Sequence, residues 1–145
     1  MNSRNLIIIG ASGHGKVVAE IAERLEIYKN IYFIDDLLKA NIFSKHYLIG
    51  TTEILEQYRD NFEYIVAIGN NKIRKQKLNH IKKLQLKLST LIHPDAIISS
   101  SAFVGPGTVI MAGAVINPSV TIGSGCIINT NSSVDHDSNI GSFSH

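Results

Sequence analysis

The sequence predicts an α/β unit over its first ninety residues and a parallel β-helix over the remainder. Short apolar runs alternate with helical patterns as far as Leu84, and from Ile92 the chain repeats every six residues without a slip. Charge supplies a third observation: all 14 Lys and Arg lie at or before Lys87, whereas residues 96–145 carry only Asp135 and Asp137. The domains are therefore expected at 1–88 and 89–145.

In the first unit, "NLIIIG" is a short apolar run closed by glycine, the pattern of a buried strand. "HGKVVAEIAERL" follows with apolar Val17, Val18, Ile21, Ala22 and Leu25 at helical spacing. "IYFI" (Ile31–Ile34) reads as the next strand, and "TTEILEQY" as a short helix with Thr51 at its N-cap. "YIVAIG" (Tyr64–Gly69) is a third strand, and "NKIRKQKLNHIKKL" a second long helix with Ile73, Leu78, Ile81 and Leu84 on its apolar face. Strands alternating with helices imply a parallel sheet with crossover connections. The turn "GASGHG" matches the dinucleotide fingerprint at Gly10 and Gly15 but has Ser12 in the middle, and Asp35 stands where an acidic residue would meet a ribose hydroxyl. A second turn, "GNNK" at Gly69, leaves the same edge of such a sheet, so both turns are expected to face one ligand. The unit is Rossmann-like, and its shortness favours a mononucleotide or nucleotide-sugar over a dinucleotide. The basic run from Lys72 to Lys87, including Arg74 and Lys77, is mostly a solvated helix face. Lys72, at the helix start, is the member expected near a phosphate.

The second unit divides into IHPDAI, ISSSAF, VGPGTV, IMAGAV, INPSVT, IGSGCI, INTNSS, VDHDSN and IGSFSH. Every first position is Ile or Val, and the fifth is small or modest, from Ala96 to Ser144. A period of six belongs to neither a helix nor a plain alternation; it is the hexapeptide signature of a parallel β-helix. Nine hexads make about three triangular coils, with the first and fifth residues pointing to the axis. The α/β unit is expected to cover the N-terminal end, and the coil faces to trimerise.

Composition narrows the classes of function. Hydrophobic residues at 44% and charged residues at 18% describe a globular chain with a sizeable core. The net charge of +2 gives no argument for nucleic acid or a membrane surface. The four-residue apolar run before Gly10 is too short for a leader or a membrane span, so a cytoplasmic protein without membrane insertion is expected. The lone Cys126 excludes an internal disulfide and, at a fifth position, should be core rather than nucleophile. His93, before Pro94, marks entry into the first coil; His46 and His80 are expected at the surface. No close ligand spacing suggests a metal. His136, third in its hexad, is free to face outward either as a solvated turn residue or as a base.

"GASGHG", "FIDD", "AIGNN", "LIHP", the hexads and "SSVDHDSNIGSFSH" occur in an order that resembles the sialic-acid O-acetyltransferase (NeuD) and UDP-4-amino-sugar N-acetyltransferase (PglD) type of sugar acetyltransferase. The whole chain resembles the N-terminal two thirds of these left-handed β-helix acyltransferases, whose further coils follow the "FSH" motif. The hand comes from the resemblance, because the period alone does not fix it. The resemblance implies acetyl transfer from acetyl-CoA, a co-substrate, to a sugar amine or hydroxyl, in a homotrimer whose neighbouring coils hold the coenzyme. It makes His136 the general base, Asp137 its orienting carboxylate, and His145 a histidine near the thioester. Ser12, Gly13, His14, Asp35, Asp36, Gly69 and Asn70 match the nucleotide-sugar pocket. The chemistry suits these types: a nucleophile attacking a thioester must lose a proton, and histidine titrates near neutrality. The expected activity is N-acetylation of a UDP-4-amino-sugar, with sialic acid O-acetylation as the alternative. A nucleotide-sugar-binding trimer without catalytic competence is the further alternative, since coils beyond His145 would line much of the coenzyme cleft.

Overall fold

The computed structural model describes residues 4–145; residues 1–3 of the first expected domain lie outside the described residues. The N-terminal unit runs β1 (Asn5–Ile9), α1 (Gly13–Leu25), β2 (Asn30–Ile34), β3 (Ile42–Phe43), β4 (His46–Gly50), a 3-10 turn (Thr52–Gln57), β5 (Phe62–Val66) and α2 (Asn71–Lys83). The strand order is β3-β4-β2-β1-β5, parallel except for β3, which runs antiparallel to β4. The β3–β4 pair adds to the all-parallel sheet that the sequence predicts. Its two-residue turn carries Ser44 and Lys45 at φ of 45° and 61°, where an Asn-Gly pair would usually signal such a hairpin. The "TTEILEQY" segment is a 3-10 turn, with the Thr51 hydroxyl accepting the Glu53 amide. The strand expected at Tyr64–Gly69 instead ends at Val66, leaving Ala67–Asn70 as the turn.

Both faces of this sheet are covered, which explains the unbroken apolar run in β1. Leu6 and Ile8 pack under α1 with Val18, Ala19 and Ala22, while Ile7 and Ile9 face Leu55, Leu78 and Ile81 on the other side. Helix α2 departs from the expected apolar face. Arg74, Leu78 and Ile81 are buried, whereas Ile73 is 42% exposed at the rim of a cleft. His46 likewise departs from expectation. It is half-buried against α1, with Nε2 2.7 Å from the Glu23 carboxylate.

The hexads form the two-residue strands β6 (Leu91–Ile92), β7 (Ile97–Ile98), β8 (Phe103–Val104), β9 (Val109–Ile110), β10 (Val115–Ile116), β11 (Thr121–Ile122), β12 (Ile127–Ile128), β13 (Ser133–Val134) and β14 (Asn139–Ile140). They stack into three parallel sheets, β6-β9-β12, β7-β10-β13 and β8-β11-β14, the sides of a left-handed β-helix of three coils. Ile110, Ile116, Ile122 and Ile128 at first positions, and Ala114, Val120 and Cys126 at fifth positions, fill the axis. The sixth residue of each hexad faces out. The fourth residue turns the corner: from the third hexad on, Gly107, Gly113, Ser119, Gly125, Asn131, Asp137 and Phe143 all have positive φ. Amides of Gly125, Asn131, Asp137 and Phe143 each donate to a third-position carbonyl of the coil beneath, at 2.8–3.0 Å.

The α/β unit was expected to cover the end of the coil; instead it lies along one flat side. Outward Leu91, Val109 and Ile127 on β6, β9 and β12 join the core under α1. The connecting residues are hydrogen-bonded on both sides. The Tyr64 amide donates to Lys87 and the Ser89 amide to Tyr64, while the Ser89 carbonyl accepts from Gly107. The open edge of β5 is thereby closed by main chain that continues into the coil. No described helix is long and apolar enough to cross a membrane.

The axial packing predicts that Ile122→Ala, at a fully buried site, destabilises the protein by about 2–5 kcal/mol. Chemical denaturation should give a lower midpoint with an unchanged slope.

Candidate functional site

The two glycine turns at the carboxyl edge of the sheet meet, as their positions in the sequence imply. Gly10 has φ of +116°, and a Cβ there would lie 2.6 Å from the Ala67 carbonyl oxygen. A Cβ on Gly15 would lie 2.3 Å from the Gly10 carbonyl oxygen, so α1 starts hard against the turn. Between the turns opens a cleft of about 420 Å³, large enough for a nucleotide-sized ligand. Ser12, Asp35, Asp36 and Gly69 line it, together with Leu37, Ile68, Ile73 and Lys77. Ser12 stands at the N-cap of α1, yet its hydroxyl makes no capping bond and is free toward the cleft.

The remaining pocket residues take other places. Gly13 begins α1 and does not line the cleft. Asn70 caps α2, its side-chain oxygen accepting the Ile73 amide at 3.0 Å. Asp35 also departs from a simple ribose ligand: Ala11, Leu37 and Leu38 all donate their amides to its carboxylate at 2.8 Å. Burial would raise its pKa, but these donors prevail and hold it below the usual carboxylate value. Asp36 accepts from the Thr52 amide and hydroxyl and pairs with Lys77; against the opposing effect of burial, these partners hold its pKa down too. The two aspartates therefore shape the loop over the cleft. Lys77, rather than Lys72, is the basic residue at its wall. Lys77 lies one helical turn past Ile73, a spacing that could have placed both at the cleft.

On the coil, His136 and Asp137 occupy the third and fourth positions of the corner between β13 and β14, both well exposed. His136 Nδ1 lies 2.7 Å from Asp137 Oδ2. An ionised carboxylate only accepts, so Nδ1 carries the proton and Nε2 presents its lone pair to solvent. The hydrogen bond to Asp137 and then its charge raise the His136 pKa above the ordinary value. The fourth-position backbone, with Asp137 at φ of 58°, is one that Asp and Asn tolerate better than most residues. His136 does not line the cleft of its own chain.

His145 sits elsewhere. It follows Ser144, whose carbonyl accepts the Ile127 amide, so it continues the outward row Leu91–Val109–Ile127 one coil further. That row runs under α1 and brings the His145 ring to the Gly69 turn, with Nδ1 3.3 Å from the Gly69 carbonyl oxygen. His14 is close enough to feel its charge. Burial, then the fields of His145 and Arg74, lower the His14 pKa to about 4, and its buried Nε2 has no partner among the described residues. Cys126 points inward, its thiol donating to the Gly141 carbonyl at 3.2 Å. His93 is buried at the first corner, with Nδ1 accepting the Asp95 amide.

A nucleotide-sized cleft on a small α/β unit is thus fixed to the side of a hexapeptide-repeat coil. Residues 5–81 match the PglD N-terminal domain family, and residues 101–136 match the bacterial transferase hexapeptide (six repeats) family. The chain belongs to the PglD N-terminal domain family. It is 37% identical over 105 residues to the UDP-N-acetylbacillosamine N-acetyltransferase of Bacillus subtilis, a match covering 70% of this chain. The chain spans 49% of the length of that curated relative. The acetyltransferase domain of PglB from Neisseria gonorrhoeae superimposes with a TM-score of 0.92 at 44% identity, covering 97% of this chain and 69% of that one. The same domain has been solved in complex with acetyl coenzyme A. PerB from Caulobacter crescentus, in complex with CoA and GDP-perosamine, superimposes at 0.88 with 31% identity, covering 96% of this chain and 66% of that one.

The carboxylate pairing predicts that Asp137→Asn, which preserves the corner conformation, lowers the His136 pKa toward the ordinary histidine value. A histidine titration by NMR should show this shift with the other imidazoles unmoved.

Proposed function

We propose that the protein transfers acetyl from acetyl-CoA to the amine of a UDP-4-amino-sugar, with His136 as general base. The observation that carries this reading is the His136–Asp137 pair, exposed at a coil corner with its Nε2 lone pair free, on a chain that also presents a nucleotide-sized cleft. The relatives support it: one is named a UDP-N-acetylbacillosamine N-acetyltransferase and another a GDP-perosamine N-acetyltransferase.

The cleft between the Gly10 and Gly69 turns would hold the nucleotide, with α1 and α2 offering amide donors to the diphosphate. The amine nitrogen attacks the thioester carbonyl, forming a C–N bond, and His136 Nε2 takes the amine proton as the bond forms. Asp137 stabilises the resulting imidazolium, and turn amides or His145 face the oxyanion. Collapse breaks the C–S bond, and the imidazolium returns its proton to the departing thiolate. No covalent enzyme intermediate is needed.

His136 and the cleft of its own chain stand apart, so the reading includes a homotrimer in which one subunit's base faces a neighbour's cleft. Ile97 and Phe103, outward on two coil sides, are 66% and 60% exposed and supply apolar surface for that contact.

His136→Ala should lower kcat/KM by about 10²–10⁴-fold in thiol release from acetyl-CoA, measured with UDP-4-amino-sugars, GDP-perosamine and sialic acid. Activity that survives the substitution would remove His136 as base, and turnover of sialic acid alone would make the reaction an O-acetylation. Because the base must be neutral and its pKa is raised, activity should rise at a higher pH than an unperturbed histidine would give. In Asp137→Asn the acid limb should move to lower pH. Sedimentation should give a trimer that Phe103→Asp dissociates.

A further inference from the structure

Arg74 lies in the basic run of α2, yet it is 0% exposed and hydrogen-bonds to neutral oxygens. Nη1 donates to the carbonyls of Ile68 and Gly69 at 2.9 and 3.0 Å, which belong to the turn lining the cleft. Nη2 reaches the Asn71 side-chain oxygen at 2.7 Å and the Phe143 and Ser144 carbonyls at 2.8 and 3.3 Å. Nε donates to Gly125 at 2.7 Å. One planar fork thus joins a turn of the α/β unit to a corner of the coil. A buried cation normally has a carboxylate partner to offset its lost hydration; here six neutral oxygens take that place.

The corner it grips is itself strained. Phe143 has φ of 63°, a left-handed conformation uncommon for a bulky residue, which persists only where the surroundings over-determine it. Its ring would crowd any Cβ on Gly125, and it lies under the Lys75 ammonium. Two residues further on, His145 rests on the Gly69 carbonyl, the same oxygen that accepts from Arg74. His14, whose buried Nε2 has no partner among the described residues, is close enough to feel the charges of His145 and Arg74, although it does not line the cleft.

We propose that Arg74 is a positioning residue: it clamps the Gly69 turn to the Phe143–Ser144 corner and so seats the His145 imidazole on the turn that lines the cleft, with the His14 imidazole nearby. The function of the clamp is geometric, since a lysine keeps the charge but cannot fork to acceptors on two bodies. Only its kinetic consequence rests on the acetyltransferase reading.

The test follows the imidazoles by NMR in protein labelled with ¹⁵N-histidine, the His14 and His145 signals being assigned from His14→Gln and His145→Gln. In wild type, His14 should stay neutral to well below pH 6. In Arg74→Lys, the loosened turn admits water, and His14 should titrate at least tenfold more readily, with the His145 signal shifted as well. Asn71→Ala, which removes one acceptor at the exposed helix start, should move both signals the same way by less. Ile122→Ala serves as a control that lowers stability without touching the clamp, and should leave the His14 titration and the His145 signal as in wild type. The proposal is overturned if Arg74→Lys or Asn71→Ala lowers only the melting temperature while the His14 titration and the His145 signal stay as in wild type. In acetyl transfer, Arg74→Lys should lower kcat by about 10- to 100-fold with a smaller change in KM. An inactive wild type with the expected titrations would sink the acetyltransferase reading and leave the clamp intact.

Discussion

From the third hexad on, the chain turns each corner of the prism at a left-handed fourth residue, and from the fourth hexad on that residue's amide donates to the coil beneath. This one requirement fixes most of the coil's surface chemistry. With the first and fifth residues committed to the axis and the fourth to a left-handed backbone, the third residue stands at the apex of the corner, exposed and closely oriented. His136 holds that place, and the fourth residue beside it is Asp137, a type that accepts the conformation at small cost. The short Nδ1–Oδ2 contact between neighbours thus follows from corner geometry, with no support from any other element.

The α/β unit follows a different rule, in which glycine is required by close approach. Gly10 lies against the Ala67 carbonyl and Gly15 against Gly10, so the two turns and the start of α1 pack without room for a methyl group. The loop after β2 is then built on carboxylates: Asp35 gathers three amides, and Asp36 ties Thr52 to Lys77. Acidic residues here serve first as internal templates for backbone, and what they leave open is the apolar wall of Leu37, Ile68 and Ile73.

Much of this was legible in the sequence because it depends on period. The nine hexads, the inward Cys126, the two glycine turns and the register of His136 all come from spacing along the chain. What was not legible depends on contacts between units. Arg74 sits among lysines and reads as solvated, although its place four residues before Leu78 and seven before Ile81 puts it on the buried stripe of α2. Ile73 reads as core for the complementary reason. The β3–β4 hairpin escaped because Ser44-Lys45 lacks the glycine that announces such a turn, and because none of its strand residues is fully buried. His145 could be placed at a coil boundary by counting, but its meeting with Gly69 arises only because the α/β unit lies along the side of the prism.

The stacked register has a consequence for how such a molecule can change. Parallel coils in exact register move a side chain only in steps: one added coil of three hexads raises every later residue by about 4.8 Å along the axis and returns it to the same corner. Distances between features on different coils are therefore quantised, while those on one corner, such as His136 to Asp137, are invariant. A lineage can lengthen or shorten the prism by whole turns, altering reach toward a ligand in fixed increments, without redesigning any corner. The α/β unit, whose Tyr64 amide and carbonyl hold the segment that carries the Ser89–Gly107 bond to the coil, supplies the fixed origin from which those increments are counted.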